Sequence, residues 1–194
     1  MNKESAKFGK GSFLHSIFAA HRNYRKSIVE QLAYDSGERH ILFLCFSSSF
    51  VLFLSNLPSQ MALRFSTNVP APLSVYIASL LFLAVFFMPL FLYLLSAILH
   101  LGLKLCGGKG TFYQARLGFF WSITVSAPIL ITFGIIQGYA VGTLVYSISD
   151  ILSDLILAWI VSNIVSVAEK FNSPYPMFSI LAALIFLGKF FYPI

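Results

Sequence analysis

Long apolar runs separated by short polar turns dominate the pattern of this chain. A helix needs about 17–25 apolar residues to cross the hydrocarbon core of a bilayer. Five stretches meet or approach that length: residues 41–57, 75–103, 117–137, 142–168 and 177–192. Pro58 is expected to end the first stretch, while Pro89 and Pro128 lie inside the second and third. The pattern predicts an all-α, polytopic membrane bundle of five transmembrane helices.

The composition supports a bilayer environment. Of the 194 residues, 58% are hydrophobic and 10% are charged, and the mean hydropathy is +0.82. Soluble domains average about 45–50% apolar and about 25% charged residues, so this chain has too few charges for the polar shell of a water-soluble fold. We expect one membrane domain over residues 41–194, preceded by a polar, basic segment over residues 1–40.

The segment before the first span has an amphipathic pattern. Apolar positions recur at helical spacing over residues 13–32, whereas Arg22, Arg25 and Lys26 lie elsewhere on the helical wheel. The pattern predicts one interfacial helix over about residues 12–34. Two interpretations of this helix remain open: it lies on anionic lipid, or it binds a protein partner.

Basic residues predict the orientation, because cytoplasmic loops of membrane proteins are enriched in Lys and Arg. Seven of the 13 Lys and Arg residues precede residue 40, and Lys104, Lys109 and Arg116 surround the loop after the second span. The loop after the first span has Arg64 alone. The N-terminus is therefore expected in the cytoplasm and the C-terminus across the membrane, where Lys189 extends to the interface.

The turn of sequence GGKGT at residues 107–111 joins the second and third spans. Gly107 and Gly108 are expected to end the second helix with positive φ. Lys109 is expected to neutralise helix-terminal carbonyls and lipid phosphate, and Thr111 to cap the next helix. Gly134, Gly138 and Gly142 are four residues apart, and we expect these small residues to let neighbouring helices approach closely.

Asp150 and Asp154 are the sharpest candidates for chemistry within the spans. They are four residues apart and therefore share one face of the fourth span. An ionised carboxylate at the bilayer centre costs about 2.5–3.5 kcal/mol on the insertion scale, so both should face protein or water. One interpretation is a cation or proton site. The preferred interpretation is a structural pair hydrogen-bonded to serines such as Ser147 or Ser122.

No sequence pattern indicates catalysis, a cofactor or a metal. A phosphate-binding loop would need Gly at position 103 and Ser or Thr at position 110, where the chain has Leu103 and Gly110. His100 is expected to pair with Glu169 at the cytoplasmic surface rather than to bind a metal. The net charge of +6 lies mainly at topology signals, so no nucleic-acid partner is predicted. The sequence predicts a non-enzymatic protein.

The most specific motifs lie within residues 100–129. They are His100, Gly107, Gly108, Lys109, Gly110, Thr111, Arg116, Phe120, Trp121 and Pro128. With the five-span plan and the basic N-terminal segment, these residues resemble the Yip-one (YIP) domain family of multi-pass membrane proteins, in the form found in alphaproteobacteria.

This resemblance implies an integral membrane protein of unassigned activity. The GGKGT turn, the basic amphipathic N-terminus and the absence of catalytic residues favour a membrane-organising or trafficking-type adaptor of this kind in the bacterial inner (plasma) membrane, with the periplasmic C-terminus that the basic residues predict. The partners expected are the lipid bilayer, anionic lipid at the basic N-terminal helix, and a membrane-protein partner or a second copy of the chain. The alternative is a small transport or channel subunit that uses Asp150 and Asp154 as an ion or proton site.

Overall fold

The computed structural model describes residues 13–33, 37–67 and 72–191, and these residues are almost entirely helical. The helices are α1 (Phe13–Ala20), α2 (Tyr24–Ala33), α3 (Glu38–Thr67), α4 (Leu73–Phe82), α5 (Met88–Leu105), α6 (Phe112–Val125), α7 (Ala127–Ala140), α8 (Leu144–Ala168) and α9 (Tyr175–Phe191). A π-helical turn at Leu83–Phe87 makes α4 and α5 one continuous helical stretch. The predicted all-α class is confirmed for the described residues.

Three helical stretches in the described part of the chain are long and apolar enough to cross a membrane: Glu38–Ser66, Leu73–Leu105 and Leu144–Ala168. α6 and α7 pass the same test together, although a bend of 51° separates them. α9 has 17 residues and spans about 26 Å at 1.5 Å per residue. A count of five spans therefore requires that α6 and α7 form one broken span and that the shorter α9 also crosses.

Pro58 does not end the first apolar helix, so that prediction was wrong. α3 continues to Thr67 with Pro58 inside it. A proline removes one backbone hydrogen bond and usually kinks or breaks a helix. Here α3 remains in contact with α7 through this region, and a Cβ added to Gly138 would lie 2.6 Å from Pro58 Cβ. Packing against α7 thus maintains a helix that the local sequence disfavours.

The other two intramembrane prolines do accompany irregular helix geometry. The π-helical turn ends just before Pro89, and the 51° bend between α6 and α7 lies just before Pro128. Neither proline can donate a hydrogen bond to the carbonyl four residues earlier, and both distortions lie in that preceding turn.

The N-terminal segment forms two helices, so the prediction of one helix over residues 12–34 was wrong; positions 12 and 34 lie outside the described residues. Asn23 is the local cause of the break, because its Oδ1 accepts a hydrogen bond from the backbone N–H of Lys26 at 3.0 Å. This is the geometry of a helix N-cap, which starts α2 afresh.

Both short helices also pack on the bundle, in addition to any contact with lipid. Ile17 and Ala20 of α1 and Ile28 of α2 are buried. The indole Nε1 of the buried Trp121 donates to Ser27 Oγ at 2.7 Å, which ties α2 to α6. The break between α1 and α2 therefore allows both apolar faces to reach the same core.

α6 lies at the centre of the bundle and is buried over its last nine residues. α3, α5 and α8 surround it. α7 packs along α3 at very short range, since a Cβ added to Gly134 would lie 1.8 Å from the Ser55 carbonyl oxygen. The predicted packing role of the glycines thus holds for Gly134 and Gly138. It is wrong for Gly142, which has open space around it and adopts φ +78° in the turn after α7.

Candidate functional site

The GGKGT turn closes the end of α5 with a specific set of backbone hydrogen bonds. Gly107 adopts φ +92°, its N–H donates to the Lys104 carbonyl at 3.1 Å, and the N–H of Gly108 donates to the Leu103 carbonyl at 2.9 Å. These two bonds define a Schellman motif, which satisfies carbonyls that a helix end otherwise leaves free. The left-handed position is the one where glycine is favoured over other residues.

Gly108 does not have a positive φ, so that prediction was wrong. Close packing, and not backbone conformation, favours glycine at positions 108 and 110. A Cβ at Gly108 would lie 2.9 Å from Glu169 Oε2 and 3.0 Å from the Leu103 carbonyl oxygen. A Cβ at Gly110 would lie 2.6 Å from the Ala168 carbonyl oxygen and 2.7 Å from Glu169 Oε2. The turn therefore packs its backbone directly on the end of α8.

Glu169 is the residue that the turn encloses. Its Oε1 lies 2.5 Å from His100 Nδ1, and its Oε2 accepts a hydrogen bond from the N–H of Gly110 at 3.2 Å. Its own carbonyl accepts from the N–H of Lys109 at 2.9 Å. The side chains of His100 and Glu169 are 1% and 0% exposed. The expected pairing of His100 with Glu169 is therefore present, but it is buried within the protein rather than at the surface.

α8 ends with a second Schellman motif, centred on a residue other than glycine. Lys170 adopts φ +61°, and the N–H of Phe171 donates to the Ser166 carbonyl at 2.8 Å. The N–H of Lys170 donates to the Val167 carbonyl at 3.1 Å. The two motifs together place the ends of α5 and α8 side by side. We call the turn, His100 and Glu169 the glycine junction.

The start of α6 completes this end of the molecule. Thr111 forms a capping box with Gln114, as its predicted capping role requires. Arg116 Nη2 lies 2.7 Å from Glu38 Oε1 at the start of α3, and its guanidinium carbon lies 5.7 Å from the centre of the Tyr93 ring. Arg116 thus joins α6 to α3 and α5, and the sequence did not reveal this role.

A second polar group lies within the apolar helices, where Lys189 of α9 contacts both predicted carboxylates of α8. Lys189 Nζ forms an ion pair with Asp150 Oδ2 and lies 3.0 Å from Asp154 Oδ2. The side chains of Asp150, Asp154 and Lys189 are 21%, 39% and 24% exposed. We call these three residues the charged cluster.

The charged cluster corrects two sequence-based expectations. Lys189 points to the carboxylates, so the expectation that it extends alone to the interface was wrong. Ser122, one of the serines expected to bind the carboxylates, instead donates its Oγ–H to the Phe119 carbonyl at 2.6 Å, so the expectation was wrong for this residue. An ion pair satisfies both carboxylates more fully than a hydroxyl does, and it forms because α9 packs along α8.

Outside the apolar helices, partial burial raises the pKa of Tyr24 above its ordinary value of 10.0, since desolvation disfavours the phenolate. The neutral Tyr24 hydroxyl lies 3.0 Å from His21 Nδ1. This pair lies at the turn between α1 and α2 and supports the break between them.

In the described part of the chain, no three His, Cys, Asp or Glu side chains converge in the manner of a metal site. Comparison with protein-family models, with curated proteins and with solved structures found no match for this chain.

Proposed function

We propose that this protein is a non-enzymatic, five-span protein of the bacterial inner membrane, similar to the Yip-one family, that organises the membrane or acts as an adaptor. The proposal rests on the structural role of the motif residues. His100, Gly108, Gly110 and Thr111 join helices to one another, and their polar groups are occupied by that task.

The surface around the glycine junction supports an adaptor role. Lys104, Lys109 and Lys170 are exposed at the ends of α5 and α8, next to the buried Glu169. Because His100 and Gly110 already occupy the carboxylate of Glu169, these three ammonium groups remain available to lipid phosphate or to an acidic partner.

The predicted orientation assigns this basic surface to the cytoplasm. The ion pair between Glu38 and Arg116 places the start of α3 and the start of α6 at one end of the bundle, together with the glycine junction. Exposed basic residues at one end are the signature of the cytoplasmic side. With α6–α7 as one broken span and α9 as a short fifth span, the C-terminus lies in the periplasm.

A reporter fused to the C-terminal end tests this orientation. Alkaline phosphatase, which is active only outside the cytoplasm, should be active there, while a green fluorescent protein fusion at the same point should be dark. The reverse result would remove one span from the proposal, and α9 would then be an interfacial helix.

In-cell photocrosslinking tests the adaptor function. A photoreactive residue at position 105 should capture a membrane-protein partner or a second copy. Capture should fall at least tenfold when Lys104, Lys109 and Lys170 are replaced by Gln, and should persist in the Arg64→Gln control. Capture that is equal in the triple variant would contradict the adaptor proposal.

A second candidate function is a small transport or channel subunit, and the charged cluster favours it. Ionisable residues inside membrane spans commonly mark ion or proton pathways. In proteoliposomes containing a pH-sensitive dye, the wild type should then dissipate a proton or cation gradient, and the Asp150→Asn, Asp154→Asn double variant should not. If both show the leak of empty liposomes, this candidate is wrong.

A further inference from the structure

A cavity of about 410 Å³ lies beside the charged cluster, between α5, α6, α8 and α9. Its walls are mainly aliphatic and include Leu99, Leu157 and Leu184. Among the described residues that line it, Asp154 is the one with an ionisable side chain. Ligand pockets of about 300–1,000 Å³ typically combine apolar walls with a few polar groups, and this cavity has both properties.

The charged cluster adjoining the cavity is not neutral when its members are ionised. Two carboxylates and one ammonium sum to a single negative charge. Lys189 contacts Oδ2 of each carboxylate, and a carboxylate has acceptor capacity on both of its oxygens. Asp154, the more exposed carboxylate at 39%, is also the one that lines the cavity. A cation bound at Asp154 would therefore neutralise the cluster.

The lining distinguishes between classes of cation. A metal ion needs several oxygen ligands to replace its hydration shell, and one carboxylate beside leucines does not supply them. A protonated amine needs only one or two acceptors, and its attached alkyl chain is stabilised by apolar walls. Anionic amphiphiles would be repelled by the net charge, and a neutral one could donate a hydrogen bond to Asp154 but would not neutralise the cluster.

We propose that this cavity binds a cationic amphiphile, with its protonated amine on Asp154 and its aliphatic chain among the leucines. The inference uses the same carboxylates as the second candidate function, but it requires binding and not transport. From Asp154 the cavity extends to Val161, about 10 Å along α8 toward its cytoplasmic end. Asp154 lies two residues, about 3 Å, before the middle of α8, so in the proposed orientation the chain extends from near the middle of α8 into its cytoplasmic half.

Photolabelling in phosphatidylcholine nanodiscs tests the proposal without any gradient or flux. The probe is a twelve-carbon primary amine with a terminal diazirine, and the matched probes are the corresponding alcohol and sulfate. The amine should label peptides of α8 and α9 at least tenfold more than the alcohol or the sulfate does. Labelling of the exposed α5 face around Leu90 should be similar for the amine and the alcohol, and it reports partition into the bilayer.

Single substitutions then separate charge from shape. Asp154→Asn should reduce amine labelling of α8 and α9 at least tenfold, while Asp150→Asn, which does not remove a residue that lines the cavity, should reduce it less. Leu184→Trp keeps the charge but narrows the cavity, and it should also reduce labelling. Near-equal labelling by amine and alcohol, or undiminished amine labelling of Asp154→Asn, would overturn the proposal. If Asp154→Asn loses amine labelling and the wild type dissipates no gradient, the results support binding of the amine and exclude the transport function.

Discussion

The glycine junction and the charged cluster solve the same physical problem in opposite ways. Each places ionisable side chains inside an apolar bundle. His100 and Glu169 are 1% and 0% exposed, and the backbone N–H of Gly110 donates to the second carboxylate oxygen of Glu169. Asp150, Asp154 and Lys189 are 21–39% exposed and adjoin a cavity. The junction is closed on every side, whereas the cluster retains access to a ligand or to water.

This difference in burial distinguishes ionisable side chains that stabilise the fold from ionisable side chains that can bind a ligand. A buried pair whose two carboxylate oxygens each accept a hydrogen bond within the protein is closed to a ligand, and it is costly to break. A part-exposed group with net charge leaves an acceptor in reach and is cheaper to alter. We therefore expect substitutions at the junction to reduce stability first, and substitutions at the cluster to alter binding first.

The largest loss of stability is expected from Glu169→Ala. The substitution leaves the buried His100 and the N–H of Gly110 without their acceptor, and removal of one partner from a buried pair typically costs about 3–5 kcal/mol. Denaturant unfolding in detergent micelles, followed by tryptophan fluorescence, measures the loss. Glu169→Gln retains an acceptor oxygen and should lose clearly less. An Ala variant as stable as the wild type would show that the junction does not hold the bundle together.

A smaller loss is expected from Gly110→Ala. The new Cβ would lie 2.6 Å from the Ala168 carbonyl oxygen, so the backbone of the turn must shift, and overpacking of this kind typically costs about 1–3 kcal/mol. Gly102→Ala is the matched control, because no atom lies within 4 Å of its Cβ position and alanine favours a helix. The same unfolding assay should separate the two variants. Equal stabilities would argue against close packing of the turn on α8.

The Asp150→Asn, Asp154→Asn double variant should lose less stability than Glu169→Ala. It leaves Lys189 without an ionic partner, but that side chain is 24% exposed and lies in the last turn of α9, from which it can extend to the interface. We expect a cost below about 2.5 kcal/mol, the lower end of the insertion scale for a charge at the bilayer centre. Adding Lys189→Met should recover part of this loss. A loss as large as that of Glu169→Ala would remove the contrast between the two regions.

The smallest effect is expected from Lys170→Gly, and it should be stabilising. A left-handed conformation costs a residue with a side chain about 1–2 kcal/mol, and glycine avoids this cost but loses more entropy on folding. The net gain should be below about 1 kcal/mol, seen as a small rise in the unfolding midpoint. Lys109→Gly is a control that removes a neighbouring exposed lysine without positive φ, and it should not stabilise. A loss of stability in Lys170→Gly would contradict the strain at the end of α8.

Local chemistry made several features predictable. The cap formed by Thr111 and the helix-ending role of Gly107 were expected, because each depends on residue type and on a nearby helix end. The pairing of His100 with Glu169, which are 69 residues apart, was expected from the order of the spans, which brings the ends of the second and fourth spans to the same side. The break at Asn23 was also detectable, since Asn is a preferred N-cap residue; the apolar periodicity concealed it.

Other features depend on which helices become neighbours. Lys189 lies 39 residues from Asp150 along the chain, and no local pattern connects them. The continuation of α3 through Pro58 depends on α7, and the need for glycine at Gly108 and Gly110 depends on the end of α8. In each case the deciding contact joins residues far apart in the chain.

By itself, the sequence determined that the chain folds into apolar helices, and it placed the ends of the Leu73–Leu105 stretch, α8 and α9 to within two residues. Hydropathy, capping residues and turn glycines made this possible because they act over a few residues. Only the tertiary structure decided which charged side chains are fully buried and which remain accessible to a ligand. Burial of Glu169 requires three chain segments to meet, and the access of Asp154 to a cavity requires α9 to stand beside α8 without filling the space next to α5. Such arrangements follow from the packing of whole helices, which residue type and local spacing do not encode.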